Sequence, residues 1–301
     1  MNSDIKNIAI IGLGLIGSSI LHALKIKHNN QYKTYAYDIN EKYRSIIKKM
    51  DISYKVCNKI SEAVKNADLI ILAIPVGSMG KVAKEIKPFV KKGAIITDTG
   101  STKISVIQDV TPFIPDDSFY IPSHPLAGTE HSGPESGFSS LFENRYWIII
   151  SNEKNTNTKA LEKLFVKLGA VVDYMEAEYH DKIMAMTSHL PHLIAFTIVG
   201  TANQLEKDLK NDVVRYSATG FRDFTRLASS DPTMWRDVFT NNSDSVLEML
   251  QRFNEDLTYL QKLIRQKNGG KLKNFFQTTR KIRTKIINAG QHEQEDLKKF
   301  R

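Results

Sequence analysis

Through the first 175 residues, short apolar runs bounded by turn residues alternate with stretches whose apolar positions lie three and four apart. The first pattern fits buried strands and the second fits helices that cover them. Strands are expected at 6–11, 32–37, 69–73, 95–98, 119–121, 147–150 and 171–174. Helices are expected at 15–27, 41–50, 61–65, 80–88, 103–111 and 158–168. This alternation implies a parallel sheet with helices on both faces. From Glu176 the texture changes, with no convincing strand and a helical pattern nearly to the end. Tyr179, Ile183, Met186, Leu190, Leu193, Ile194 and Ile198 form one long apolar stripe, which Pro191 should kink. Residues 243–266 and 272–287, separated by Asn268-Gly269-Gly270, read as a helical hairpin.

The first strand, Ile8-Ala9-Ile10-Ile11, runs into Gly12-x-Gly14-x-x-Gly17 and then a helical pattern. In a strand–turn–helix that binds a dinucleotide, Gly12 makes the tight turn and Gly14 admits the pyrophosphate. Gly17 lets the helix pack on the strand, and the helix N-terminus faces the phosphates. Such a corner can also be purely structural. The second strand, however, ends at Asp38, 21 residues beyond Gly17, where an acid is needed for the ribose hydroxyls. A turn residue there would need a coincidence of spacing. A carboxylate repels a 2′-phosphate, and Ile39-Asn40 supply no arginine, so NAD is expected rather than NADP. Ile74-Pro75 leaves the third strand beside the nicotinamide end. Gly12, Gly14, Leu15, Ile16, Gly17, Asp38, Ile74 and Pro75 are the expected cofactor-binding set. The fold expected is an α/β, Rossmann-type doubly wound domain over residues 1–175. An all-α domain over 176–301 follows, for substrate binding and for dimerisation through its apolar faces.

Composition adds limits. With 301 residues, 41% hydrophobic and 25% charged, the chain is ordinary for a two-domain globular protein. The single cysteine, Cys57, excludes an intrachain disulfide and a cysteine-cluster metal site. The first strand begins too early for a signal peptide, and no apolar run approaches membrane length, so a cytoplasmic protein without a membrane partner is expected. The net charge of +9 sits wholly in residues 261–301, which hold twelve Lys/Arg against three acids. A nucleic-acid surface is one reading of that tail. Aromatic residues are interleaved only at Phe275-Phe276, and Leu260, Leu263, Ile264, Ile282, Ile286 and Ile287 keep helical spacing. A solvated basic helix face, raising the local concentration of anionic substrates, is preferred, with no nucleic-acid partner.

Candidate chemistry gathers at strand ends. Thr97-Asp98-Thr99-Gly100-Ser101-Thr102-Lys103 joins a strand to a helix, and Ser101 or Thr102 is a natural N-cap. Residues 121–133 read as a long Pro/Gly-rich loop holding His124 between Pro122 and Pro125, a candidate acid/base. On the long helix Ser188 and His192 share a face, with His189 one position round. They form either a satisfied core cluster or a substrate face. No carboxylate completes a zinc site there, so no metal is expected. Arg222 and Arg226, four apart, suit an anionic carbon skeleton, or surface ion pairs with Asp223 and Asp237.

Taken together, five blocks resemble the prephenate/arogenate dehydrogenases of tyrosine biosynthesis, from about Asn7 to Gln266. They are Gly12-Leu-Gly-Leu-Ile-Gly17, Asp98-Thr-Gly-Ser-Thr-Lys103, His124-Pro-Leu-Ala-Gly-Thr-Glu130-x-Ser-Gly133, Ser188-His-Leu-Pro-His192 and Gly220-Phe-Arg-Asp-Phe-Thr-Arg226 with Met234-Trp235. The resemblance implies oxidative decarboxylation of a cyclohexadienol, prephenate or arogenate, with NAD. It implies that His124 draws the ring-hydroxyl proton with support from Ser101, and that Arg226 holds a substrate carboxylate. Ser188, His192, Thr129 and Trp235 would line the pocket, and Glu130 and Arg222 join the substrate-binding set from the same blocks. The cations Arg222 and Arg226 favour prephenate, with its keto side chain, over arogenate. The chain ends about thirty-five residues past the matching region, too short for the regulatory domain some relatives append, and no mutase-like segment precedes the glycine loop. Thr219 stands where some relatives are glycine-rich.

A β-hydroxyacid dehydrogenase would use Lys182 early on the long helix, but would leave His124 and the Ser188–His192 block without a role. An NAD-sensing or nucleic-acid-binding module would rest on the basic tail alone.

Overall fold

The computed structural model describes residues 5–28, 31–205 and 207–288. The chain divides into two compact units, Met1–Val246 and Leu247–Arg301. Among the described residues the cofactor-type half comprises β1 (Asn7–Ile11), α1 (Leu15–His28), β2 (Lys33–Tyr37), α2 (Glu41–Met50), β3 (Lys55–Val56), α3 (Ile60–Val64), β4 (Leu69–Leu72), α4 (Met79–Ile86), β5 (Ile95–Asp98), α5 (Ile104–Val110) and β6 (Phe119–Tyr120). Then come β7 (Ser123–Pro125), β8 (Tyr146–Ile150), α6 (Thr156–Lys167) and β9 (Val171–Met175). Helices follow: α7 (Ala177–Met184), α8 (Leu190–Asn203), α9 (Lys207–Arg215), α10 (Thr219–Thr225), α11 (Pro232–Asn241), α12 (Ser243–Arg265) and α13 (Gly269–Asn288).

The main sheet runs β3-β2-β1-β4-β5-β6, parallel throughout. Its order reverses at β1, flanked by β2 and β4, so ligands are expected beyond the carboxyl ends of these strands. Alternation of side chains explains why β1 is apolar at every step. Ile8 and Ile10 pack with Ile20, Leu21 and Leu24 of α1, while Ala9 and Ile11 pack with Ile60 and Val64 of α3 on the opposite face.

Three features depart from the sequence pattern. The expected strands at 147–150 and 171–174 do not extend the main sheet. They form a second sheet, β7-β8-β9, in which β8 and β9 are parallel and β7 is antiparallel to β8. The stretch read as a long loop therefore contains a strand, and His124 pairs across from Ile148. Its prolines explain both readings, because Pro125 drives His124 to extended backbone while an edge strand tolerates the missing N–H. β3, two residues long, is too short for any periodicity to reveal. The long helix is interrupted by a π-helical turn, Ala185–His189, ending two residues before Pro191. Proline cannot donate to the carbonyl four residues back, and a widened turn upstream accommodates that loss.

The helical run Ala177–Asn203 is long and apolar enough, by length and composition, to cross a membrane, a property the sequence reading did not credit to any segment. It nonetheless carries His180, Asp181 and His189 fully or almost fully buried. In the second unit the turn comes from Lys267, at φ +50°, and Gly269-Gly270 opens α13 instead of forming the turn. Asn268 caps that helix by accepting from the Lys271 N–H at 3.1 Å. The basic tail beyond Asn288 lies outside the described residues.

The small sheet is fastened through Trp147. Its indole stacks on Phe165 of α6 with centroids 3.9 Å apart and donates from Nε1 to Ser123 Oγ at 3.0 Å. Phe165→Ala removes the stacking partner and leaves a cavity, so it should lower stability by about 3–5 kcal/mol in urea denaturation. A loss below about 1 kcal/mol would show that the small sheet is held elsewhere.

Candidate active site

At the glycine corner the three glycines answer to different neighbours. Gly12 sits at φ +98°, and a Cβ there would lie 2.2 Å from the Ala73 carbonyl oxygen. A Cβ on Gly17 would lie 1.9 Å from the Gly12 oxygen. One on Gly14 would meet nothing within 4 Å. Gly12 and Gly17 are thus required by the fold, whereas Gly14 keeps open the space a pyrophosphate would cross. Leu15 and Ile16 open α1 and pack partly buried against the core. Asp38 Oδ2 accepts from the Leu13 N–H at 2.7 Å and Oδ1 from the Asn40 N–H at 2.8 Å, which pins the carboxylate at the mouth of the turn. Ile74 and Pro75 follow β4, beside the strand that reverses the sheet order. Ile39-Asn40 supply no arginine, but the helix that follows them does. Arg44, in the first turns of α2, donates from Nη1 to the carbonyls of Asp38 at 2.6 Å and Ile39 at 3.1 Å.

The end of β5 is built around ions taken out of water. Asp98 and Lys103, both fully buried, form an ion pair, and Tyr120 donates to Asp98 Oδ2 at 2.9 Å. Lys103 Nζ also donates to the Ser123 carbonyl at 2.7 Å, and Ser123 Oγ donates to the Asp98 carbonyl at 2.8 Å. The strand end and the residue preceding His124 are thereby locked together. Neither Ser101 nor Thr102 caps α5. The cap comes from Asp181 on α7, whose Oδ1 accepts the Lys103 N–H at 2.8 Å and Oδ2 the Ile104 N–H at 2.9 Å. Thr102 instead meets Ser105 at 3.1 Å. Ser101 is partly buried and makes no side-chain hydrogen bond among the described residues.

Asp181 also sets the state of the candidate base. His180 Nδ1 stands 2.8 Å from Asp181 Oδ1 and, facing a carboxylate, carries the proton. His180 Nε2 is then an acceptor, and His124 Nδ1, 2.9 Å away, donates to it. Nε2 of His124 is left with its lone pair. Burial, then the charges of His180 and Lys103, hold the His124 imidazole well below its usual range, so it is neutral near pH 7. Burial likewise lowers His180 against the opposing pull of Asp181.

On the helical side, His192 Nδ1 donates to the Ser188 carbonyl at 2.8 Å, leaving Nε2 as acceptor, and Trp235 stacks on the imidazole at 3.7 Å. Asn242 Nδ2 donates to the Asp181 carbonyl at 2.8 Å and to His189 Nδ1 at 3.2 Å. The proton of His189 therefore sits on Nε2, and burial brings this imidazole down to about 4. His189 Nε2 and Trp235 Nε1 are buried donors without an acceptor among the described residues. Native interiors rarely leave such donors unmet, so this wall is suited to an acceptor-rich ligand or water.

Arg226 lies just past α10, in a 3₁₀ turn, and pairs with Glu130 at 3.0 Å. The Glu130 carboxyl is held below its usual range by its own backbone N–H and by Arg226. Neither acid proposed for a surface pair with Arg226 takes that place, since Asp237 binds Arg236 instead. Arg222 is exposed and makes no ion pair among the described residues. Thr129 Oγ1 accepts from the His131 N–H at 3.2 Å. Lys182, the base of the hydroxyacid alternative, is exposed. The hydrogen bonds thus join His124 to His180, Asp181, Asn242 and His189, while Arg226 and Glu130 form a second pair. Sequence reasoning passed over His180, Asp181 and Asn242. The adjacent His180-Asp181 near the start of the long helical run was the available signal.

Comparison with known proteins gives one consistent answer. Residues 22–174 match the family model for the prephenate dehydrogenase nucleotide-binding domain, and residues 176–278 match that for the prephenate dehydrogenase dimerization domain. The chain is 39% identical to a cyclohexadienyl dehydrogenase of Zymomonas mobilis over 281 residues, 92% of this chain and 95% of that protein. It is 33% identical to a prephenate dehydrogenase of Lactococcus lactis, over 92% of this chain and 77% of the relative. Among solved structures, the prephenate dehydrogenase of Aquifex aeolicus in complex with hydroxyphenyl propionate and NAD+ superposes with a TM-score of 0.86 at 29% identity, covering 94% of this chain and 99% of that one.

The glycine geometry separates folding from binding. Gly17→Ala should cost about 2 kcal/mol or more in thermal unfolding, because its Cβ collides with backbone. Gly14→Ala should unfold like the parent yet bind dinucleotide at least about tenfold more weakly by titration calorimetry. Normal binding by Gly14→Ala would remove the pyrophosphate from that corner.

Proposed function

The chain belongs to the prephenate dehydrogenase family, and on that premise we propose that it oxidatively decarboxylates prephenate to 4-hydroxyphenylpyruvate with NAD as cofactor. The carrying observation is the His124–His180–Asp181 chain, which supplies a neutral imidazole with a free lone pair in a dinucleotide-binding fold. The Gly12–Gly17 corner and Asp38 would hold NAD, which would supply the hydride acceptor for the ring carbon that bears the hydroxyl. His124 Nε2 takes the hydroxyl proton as that hydride leaves, with Ser101 supporting the contact. His180 and Asp181 hold the ring and stabilise the positive charge it gains. The ring carboxylate departs as carbon dioxide, its bonding pair aromatising the ring to a phenolate, to which His124 returns the proton. Aromatisation drives the step, so the protein's task is orientation, a base and a cationic clamp.

Arg226 supplies the clamp by exchanging Glu130 for a substrate carboxylate. Ser188, His192, Trp235, Thr129 and Arg222 line the pocket, and substrate oxygens satisfy His189 Nε2 and Trp235 Nε1. Residues 1–175 serve the cofactor, and residues 176–301 serve substrate and dimerisation. Exposed Leu257, Ile264, Phe276, Ile282 and Ile286 provide apolar surface for a second copy. We place the enzyme in the cytoplasm. Arogenate is the second reading, favoured by the relative named for cyclohexadienyl substrates.

NAD reduction with prephenate and, separately, with arogenate tests the proposal. Turnover of prephenate is expected, and silence with both in a protein that binds NAD would reject it. His124→Asn should lower kcat by about 10²–10⁴-fold with NAD binding intact. Because the working form of His124 is neutral and its pKa is depressed, activity should persist below pH 6.5 and fall only as acid protonates the ring. An acid limb above pH 6.5 in kcat/KM would contradict a His124 base.

For the clamp, Arg226→Ala should raise KM for prephenate by about tenfold or more, since a charge-assisted pair is lost. Unchanged binding of prephenate would take Arg226 out of the site.

A further inference from the structure

Ligands of an open parallel sheet lie beyond the carboxyl ends of its strands, so side chains reaching over the end of β2 are neighbours of the adenosine ribose. Asp38 is turned back to the glycine corner by Leu13 N–H, and Ile39 is 89% exposed. Arg44 spans the same strand end. Its Nη1 holds the carbonyls of Asp38 and Ile39, and the guanidinium lies 5.8 Å from the Tyr37 ring centroid. Three consecutive residues at the exit of β2 thus fix the position of the cation. Its Nε and Nη2 donors have no acceptor among the described residues. Glu41 and Lys42, both exposed, flank the start of α2, and Glu85 acts on Tyr37 from α4. Neither Glu41 nor Glu85 forms an ion pair with Arg44 among the described residues.

The end of β2 therefore presents two charges of opposite sign to whatever occupies the ribose 2′ position. Asp38 accepts from a hydroxyl and repels a phosphate. A guanidinium with free donors binds phosphate through paired hydrogen bonds and gains nothing specific from a hydroxyl. We propose that Arg44 is a cofactor-specificity residue that partly offsets Asp38, so the site prefers NAD but also binds the 2′-phosphorylated dinucleotide. This rests on the reading of the glycine corner and Asp38 as the NAD site.

Binding of NAD+ and NADP+ to the full chain, followed by titration calorimetry without substrate, tests it. The parent should bind NADP+ about 10- to 100-fold more weakly than NAD+, yet measurably. Arg44→Gln should weaken NADP+ by about tenfold more than it weakens NAD+. Asp38→Ser should strengthen NADP+ by about tenfold or more, and adding Arg44→Gln should abolish that gain. Equal weakening of both dinucleotides by Arg44→Gln would make Arg44 a loop support and overturn the proposal. So would a double variant that binds NADP+ as tightly as Asp38→Ser. Failure of the folded parent to bind either dinucleotide would overturn the cofactor reading together with it.

Discussion

The carboxylate of Asp181 is the constraint on which the arrangement around His124 depends. Buried and anionic, it is tolerable only because its oxygens accept the Lys103 and Ile104 N–H groups and the His180 imidazole N–H. Each partner gains something that water would otherwise supply. α5 obtains a cap, and His180 obtains a fixed proton position. Bonds to an ionised acceptor contribute about 1.5–3 kcal/mol each, so removing the carboxylate would leave several orphaned donors at once. The same carboxylate decides which nitrogen of His124 is free, two imidazoles away. One acid is therefore both a structural clamp between α5 and α7 and the source of the His124 imidazole's tautomeric state.

A buried ion pair, Asp98 with Lys103, supports this arrangement from the sheet side. Replacing such a pair with apolar residues is often neutral for stability, so its retention calls for another explanation. Lys103 reaches the carbonyl of Ser123, the residue before His124, while its backbone N–H binds Asp181. One residue thus sets the distance between the strand carrying His124 and the helix carrying the carboxylate that orients its partner His180. The positive charge also disfavours protonation of His124, keeping the imidazole in its accepting form.

What the sequence disclosed and what it concealed follow the range of each interaction. The glycine corner is local: Gly12, Gly17 and the strand end they meet are tied by collisions within one turn, or with one neighbouring strand. The spacing to Asp38 was legible for the same reason. The cap of α5 was misassigned to Ser101 or Thr102 because capping rules look at adjacent residues, whereas this cap comes from 78 positions away. His124 stood out as a candidate acid/base from its place near a strand end, but its prolines disguised a strand as a loop. Arg44 was not legible at Ile39-Asn40 because one turn of α2 brings a longer side chain back over them.

The helical wall shows how function can work against a fully satisfied interior. The π-helical turn before Pro191 breaks the regular register that brings side chains four apart onto one face, and it holds Ser188 and His189. His189 is satisfied by Asn242 on one nitrogen and unmet on the other, and the Trp235 indole N–H beside it is also unmet. A core selected only for stability would pair or remove these donors, since each unmet group costs about 1–3 kcal/mol. Around them, however, the protein is tightly specified: His192 is fixed by the Ser188 carbonyl and covered by Trp235. Donors left unpaired within rigid surroundings recover their hydrogen bonds only when a molecule brings acceptors, which converts a folding penalty into binding selectivity. On this wall His189 Nε2 and Trp235 Nε1 stand ready for acceptor atoms that the folded chain itself does not supply.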